Sequence, residues 1–478
     1  MNVKLVFKVL GHILRIESVF LLLPAMVALV YGESPLPFLV TALLLLCVGQ
    51  GLCRLKTSPH FFTREGFVAV GLIWFATCLF GALPFWLSGS FPSFVDCVFE
   101  SASGFTTTGA SILTNIEAMP RGVLFWRSFT HWLGGMGVLV LATAVLPSMG
   151  IRPHYLTQAE TPGPVFSKLV PKQSTTSKIL YSIYFGLTVV ETVLLKIAGM
   201  PWYDAVIHAL SSAGTGGFSN RNASVGAYGS VAIDLIITVF ILLFSVNFAV
   251  YFLLLTRKFR DILASDELRF FLTVVAGSTL LIAWNIRGLY SSFAQALRYA
   301  VFQVASIIST TGFATADFTL WPQLSHLILI LIMFCGACAG STGGGMKCSR
   351  ILILGRSLRR EIHRIVHPRS VEVVTLDGKV VEEETIHSAL TFVGSYFLVI
   401  LAGALVISLD NFSFSVSFSA ALTCVSNVGP GLELIGPAGN FSIFSPLSKL
   451  VMSLCMIVGR LEILPVLVLF SRSTWRKD

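Results

Sequence analysis

The sequence predicts an all-α integral membrane protein built from four repeats of span, half-helix, loop and span around a pseudo-fourfold pore, preceded by an N-terminal two-helix hairpin. Three observations carry this expectation. Of 478 residues 55% are hydrophobic and 12% charged, against about 25% charged in soluble globular proteins. Ten runs approach the roughly 20 apolar residues that cross a bilayer. Four short stretches rich in Gly, Ser and Thr interrupt the apolar pattern where helix would otherwise continue: 101–110, 212–218, 309–314 and 426–431.

The ten expected spans lie near 10–31, 35–53, 67–87, 122–146, 179–200, 228–255, 268–288, 323–355, 386–408 and 446–470. Lys4, Lys8 and Arg15 ahead of the first run resemble the charged start of a signal peptide, but the spans that follow at once make it a retained anchor. Each Gly-bearing stretch follows a segment too short to span: Pro92–Ser103, Trp202–Ala213, Ser292–Ile308 and Ser413–Val425. Such segments suit re-entrant half-helices. With Gly109, Gly216, Gly312 and Gly429 as equivalent marks, the unit recurs at intervals of 107, 96 and 117 residues. The chain then divides into a hairpin (1–58), a first repeat (59–150), a second with its preceding Pro-rich loop (151–260), a third (261–356), a cytoplasmic connector (357–385) and a fourth repeat (386–478).

Most of the 33 Lys and Arg fall into six blocks that face one side when both termini are cytoplasmic. The net charge of +9 is therefore read as a topology signal, not as a nucleic-acid face. Within the connector, Val371–Val381 reads as a small hairpin after a basic helix end, a solvated link or a docking surface for a cytoplasmic partner. The nine cysteines, including Cys335-x-x-Cys338, read as small core hydrophobes. Arg127 and His131, four apart, share a helix face and read as structural. Asp96, Glu100, Asp204, Asp317 and Asp410 lie near the outer ends of the repeats, as solvated surface or as a cation-concentrating mouth.

Non-helical backbone survives at membrane depth only where protein buries it or water meets it. Four such loops, one per repeat, most economically line one path on the axis. Gly turns carbonyls toward that axis without strain, and Thr adds hydroxyl oxygens. Rings of oxygen replace the water shell of a monovalent cation, and the half-helices aim their partly negative C-terminal ends at the same point. The four expected strands are Thr107-Thr108-Gly109, Gly214-Thr215-Gly216, Thr310-Thr311-Gly312 and Asn427-Val428-Gly429. A second interruption, Gly340-Ser341-Thr342-Gly343-Gly344-Gly345, breaks the eighth span just inward of the third strand. It is no phosphate-binding loop, since Met346 separates the last Gly from Lys347 and no strand precedes it.

The motifs at 106–111, 213–219, 309–313, 339–347 and 459–462 resemble those of TrkH/TrkG-type subunits of the Trk/Ktr/HKT potassium transporter superfamily, over almost the full length. That resemblance implies potassium as the transported ion, because Gly109 stands where some sodium-transporting relatives have Ser, and it implies no organic cofactor. The fourth strand departs from the family's Thr-Thr-Gly. The resemblance further implies that 340–345 with Lys347 form an intramembrane gating loop and that Arg460 lines the pathway beside it. A TrkA-like cytoplasmic nucleotide-binding subunit, a homodimer and the bacterial inner membrane are implied as well. A secondary transporter coupling potassium to protons or sodium is the competing reading, yet the loops carry no carboxylate. An enzyme would need a clustered nucleophile, metal or His/Asp set, and the nine His are scattered.

Overall fold

The computed structural model describes residues 2–56, 63–137, 173–471 and 474. The chain opens with α1 (Val3–Phe20), α2 (Leu22–Val30) and α3 (Leu36–Cys53). Helices α1 and α2 together make one span and return through α3 as the expected hairpin. Repeat one is α4 (Thr63–Gly81) extended by α5 (Leu83–Leu87), then half-helix α6 (Phe94–Phe105) and α7 (Arg121–Gly135). Repeat two is α8 (Gln173–Ile197), half-helix α9 (Trp202–Gly214), α10 (Val231–Ser245), α11 (Phe248–Leu255) and the short α12 (Phe259–Leu263). Repeat three is α13 (Asp266–Ile286), half-helix α14 (Phe293–Ile308), α15 (Gln323–Cys335) and α16 (Cys348–Val366). Repeat four is α17 (Glu383–Ile407), half-helix α18 (Phe414–Ser426), α19 (Pro446–Arg460) and α20 (Leu464–Phe470).

The half-helices contain 12, 13, 16 and 13 residues, about 18–24 Å at 1.5 Å per residue, short of the ~30 Å hydrocarbon core. Three start at a Ser whose hydroxyl accepts an amide of the first turn: Ser93 from Asp96, Ser292 from Gln295 and Ser413 from Val416. The fourth starts after Pro201, with Asp204 in its first turn.

Among the described residues six helical spans are long and apolar enough to cross a bilayer, where ten were expected. The return segments account for the difference, because three of them break. Helices α10 and α11 meet at 92°. There Val246 is extended and the Asn247 side chain accepts the Ala249 amide at 2.9 Å, so Asn247 starts a new helix. Residues 336–347 separate α15 from α16. Helix α19 stops at Arg460, with Glu462 and Ile463 in the left-handed region (φ 57° and 66°) before Pro465 near the start of α20. Proline cannot donate the amide that would continue the helix. Residues 138–146 of the fourth expected span lie outside the described residues, as do most of the Pro-rich loop at 151–178 and Arg472, Arg476 and Lys477 of the last basic block.

The connector hairpin pairs Thr375 with Val380 and Leu376 with Lys379. Its turn residues Asp377 and Gly378 both have positive φ, 51° and 73°, as a two-residue hairpin turn requires. Val374, Leu376 and Val381 pack against Ile353 of α16 and Ile386 of α17. The hairpin is thus fastened to α16 of repeat three and α17 of repeat four.

Candidate cation site

Each half-helix ends on a residue in the left-handed conformation: Thr107 (φ 56°), Thr215 (φ 53°), Thr310 (φ 60°) and Asn427 (φ 55°). The amide of the following residue then turns back onto the hydroxyl-bearing residue four positions before the left-handed one. Thr108 donates to Ser103 O (2.9 Å), Gly216 to Ser211 O (2.9 Å), Thr311 to Ser306 O (2.8 Å) and Val428 to Thr423 O (3.0 Å). Amides folded back in this way leave the strand carbonyls unused.

Two residues after each left-handed residue comes a glycine, again with positive φ: Gly109 (78°), Gly217 (75°), Gly312 (82°) and Gly429 (97°). None has room for a side chain. A Cβ on Gly109 would run into the carbonyl oxygen of Gly216, on Gly217 into that of Thr311, on Gly312 into that of Val428, and on Gly429 would lie 2.7 Å from that of Thr108. The sequence of contacts runs from strand one to two, three, four and back to one. Four strands therefore close into a ring, and the oxygens of Thr108, Gly216, Thr311 and Val428 stand in it side by side. None of these four accepts a hydrogen bond among the described residues. Buried carbonyls are seldom left so.

This geometry moves the expected register of strand two by one residue. The structural equivalent of Thr107-Thr108-Gly109 is Thr215-Gly216-Gly217, and Gly214 is the last residue of α9. The hydroxyls also differ from expectation, since most brace the strands. Thr108 Oγ1 is 2.8 Å from Thr106 Oγ1 and accepts from Asn427 Nδ2 at 2.9 Å. Thr311 Oγ1 meets Ser309 Oγ at 2.6 Å, and Thr215 Oγ1 donates to Gly214 O at 2.6 Å. Asn427 also donates to Met456 O at 3.0 Å, which ties the divergent fourth strand to α19.

The second interruption, 336–347, sits directly against strands three and four. The Gly344 amide donates to Thr310 Oγ1 at 2.6 Å. A Cβ on Gly344 would lie 2.5 Å from Ser426 O, and one on Gly343 2.8 Å from Ser309 O. In the fold the run of glycines permits this close approach. Lys347 is buried and donates to Gly343 O. Arg460 donates to Thr342 O (2.8 Å), Gly134 O (2.6 Å) and Gly135 O (2.7 Å), so its guanidinium joins the loop to the end of α7. Glu462 pairs with Arg350 of α16. The break in repeat two meshes with the same loop: Phe248 donates to Gly340 O at 3.0 Å and Thr342 Oγ1 to Phe244 O at 3.0 Å.

The outer acidic residues are braces. Glu100, fully buried, accepts from Ser111 Oγ (2.9 Å), the Ile112 amide (3.0 Å) and Arg127 Nε (2.5 Å). Asp96 pairs with Lys449 at 2.7 Å, Asp204 with Arg221 at 3.1 Å, Asp410 accepts the Ser445 amide at 2.9 Å and Asp317 the Thr319 amide at 3.0 Å. Arg127 donates to Ser219 O at 3.0 Å and lies 3.5 Å from the Phe218 ring centroid; His131 stacks on that ring at 4.0 Å. Both back the second strand. Cys335 Sγ lies 3.6 Å from Cys348 Sγ in an apolar setting, and no group of three potential metal ligands occurs among the described residues.

Residues 37–477 match the family model TrkH, described as a cation transport protein. The chain belongs to the TrkH family. It is 36% identical to the Trk system potassium uptake protein TrkH of Escherichia coli (strain K12) over 491 residues, all of both chains. It is 34% identical to TrkG of the same strain over 484 residues, 99% of each. The crystal structure of the potassium transporter TrkH from Vibrio parahaemolyticus superposes with a TM-score of 0.89 at 34% identity, covering all of both chains. As a TrkH-family chain with several apolar helices it is a multi-pass membrane protein.

Proposed function

We propose that this chain takes potassium ions into a bacterial cell across the inner membrane through the carbonyl ring, in a channel-like manner. The supporting observation is the cyclic contact of Gly109, Gly217, Gly312 and Gly429 with the carbonyls of the next strand, which leaves four buried oxygens in one ring without hydrogen bonds among the described residues. Such a ring substitutes for the hydration shell of a monovalent cation. The four half-helices end beside it, and their C-terminal dipoles add negative potential. The selecting residues are Thr107–Gly109, Thr215–Gly217, Thr310–Gly312 and Asn427–Gly429. Relatives at 34–37% identity are named potassium uptake proteins, which selects the ion.

The glycine-rich loop at 340–345, with Lys347 and Arg460, is the gate in this reading, since it lies against two of the four strands. A TrkA-like nucleotide-binding subunit on the cytoplasmic side controls it, the chain works as a homodimer within membrane lipid, and both termini face the cytoplasm. Reconstituted flux of the purified chain tests the mode of transport. Rubidium should follow its own gradient at a rate indifferent to an imposed proton gradient; uphill accumulation driven by protons would refute the channel-like mode.

A further inference from the structure

Two adjacent carboxylates at the start of α13, Asp266 and Glu267, bond in different directions. Glu267 is 7% exposed, and its Oε1 accepts the amides of Ala339 at 2.7 Å and Ser349 at 3.0 Å. Those two amides bracket the glycine-rich loop. Asp266 faces the connector instead. Its Oδ2 accepts the Asp377 amide at 2.9 Å and Arg356 Nη1 at 2.9 Å, while its own amide donates to Asp377 Oδ1 at 2.6 Å. Arg356 also donates to Thr375 O of the hairpin.

We propose that the Asp266-Glu267 pair is a mechanical coupling between the cytoplasmic hairpin and the glycine-rich loop, with both residues acting as positioning residues for the gate. The proposal rests on the gating reading above. Consecutive helical residues point about 100° apart, so one first turn grips the loop with one side chain and the hairpin with the next. No residue intervenes to absorb a displacement. Charge-assisted bonds from carboxylate to amide are among the stronger hydrogen bonds, and the Glu267 pair is shielded from water. The hairpin is in turn packed on α16 and α17 through Val374, Leu376 and Val381. A load on the hairpin from the cytoplasm thereby reaches Ala339 and Ser349 through a single turn of helix.

Amide hydrogen exchange of the full-length protein in lipid nanodiscs, read together with rubidium flux, tests this. Asp266→Ala and the milder Asp377→Ala at the exposed hairpin tip should speed exchange across 338–349 at least tenfold and change flux, with the potassium-to-sodium preference unchanged. Glu267→Gln, which keeps an acceptor oxygen but loses the charge, should fall between wild type and Glu267→Leu, and Glu267→Leu should exceed Asp266→Ala. Faster exchange confined to 371–381, or rates at 338–349 within twofold of wild type, would overturn the coupling. Deleting Gly343–Gly345 separates the two claims. Unchanged flux in the deletion refutes the gate, while the exchange pattern decides the coupling independently.

Discussion

The amide of Gly344 and the hydroxyl of Thr310, 2.6 Å apart, join the glycine-rich loop to the first residue of the third strand. Thr310 is buried, so removing its oxygen leaves a buried amide unpaired, a cost of about 1–3 kcal/mol. If that cost falls on the closed position of the loop, it corresponds to roughly a five- to 150-fold shift toward opening. Thr310→Val should raise unstimulated rubidium flux in proteoliposomes, and Thr310→Ser should not. Equal flux in all three proteins would remove this bond from any account of gating.

The glycine ring gives a second prediction. Serine at Gly109 or Gly217 meets two obstacles, a positive φ and a carbonyl already in the space a Cβ would take. The left-handed conformation alone costs roughly 1–2 kcal/mol for an L-residue; the collision has to be relieved by moving a strand. Gly109→Ser and Gly217→Ser should therefore lower the midpoint of thermal unfolding and raise sodium uptake relative to rubidium in a host deficient in potassium uptake. Gly229→Ala is the control, because Gly229 has φ 56° but nothing within 4 Å of an added Cβ. It should lose a little stability and keep its ion preference. An unchanged preference in both serine variants would dismiss the ring as the selecting element.

Register in the second strand shows where sequence reading stops. Gly214-Thr215-Gly216-Gly217 offers three glycines around one threonine, and which of them must be glycine depends on φ and on the neighbouring strand. The half-helices were legible because their shortness and the Gly-bearing stretch after each speak together. The break at Asn247 was not, since a single capping residue inside a continuous apolar run carries little weight against hydropathy. Pro465 stands at the break in the last span, inside an apolar stretch with the length of a full span. Glu100 and Glu267 were invisible as braces because the partners that tie them to other helices and to the loop, Arg127, Ala339 and Ser349, lie 27, 72 and 82 residues away.

The buried pair of Glu100 and Arg127 should be costly to halve. Their side chains are 0% and 2% exposed, and Arg127 also reaches the carbonyl of Ser219 beyond the second strand. Removing one member of such a pair leaves an uncompensated charge at a cost of about 3–5 kcal/mol, whereas replacing both with apolar residues of similar volume is much milder. Arg127→Met should lower the thermal midpoint in detergent sharply, and the double variant Arg127→Met, Glu100→Leu should recover part of the loss. Additive losses in the double variant would mean that the two residues act separately.

Arg460 discriminates between two roles for a charge inside the membrane. A guanidinium facing an open path raises a barrier through its charge, which a lysine would supply equally. A guanidinium spread over Thr342 O, Gly134 O and Gly135 O acts through its planar fork, which an ammonium cannot reproduce at three acceptors on two elements. The second role predicts that Arg460→Lys resembles Arg460→Ala, with raised unstimulated rubidium flux and faster amide exchange across 340–345 in both. If Lys instead restores the wild-type flux and exchange, the charge matters and the fork does not. The loop would then be held by its remaining partners, Thr310, Phe244, Phe248, Glu267 and Lys347, and the end of α7 would have no part in keeping it against the strands.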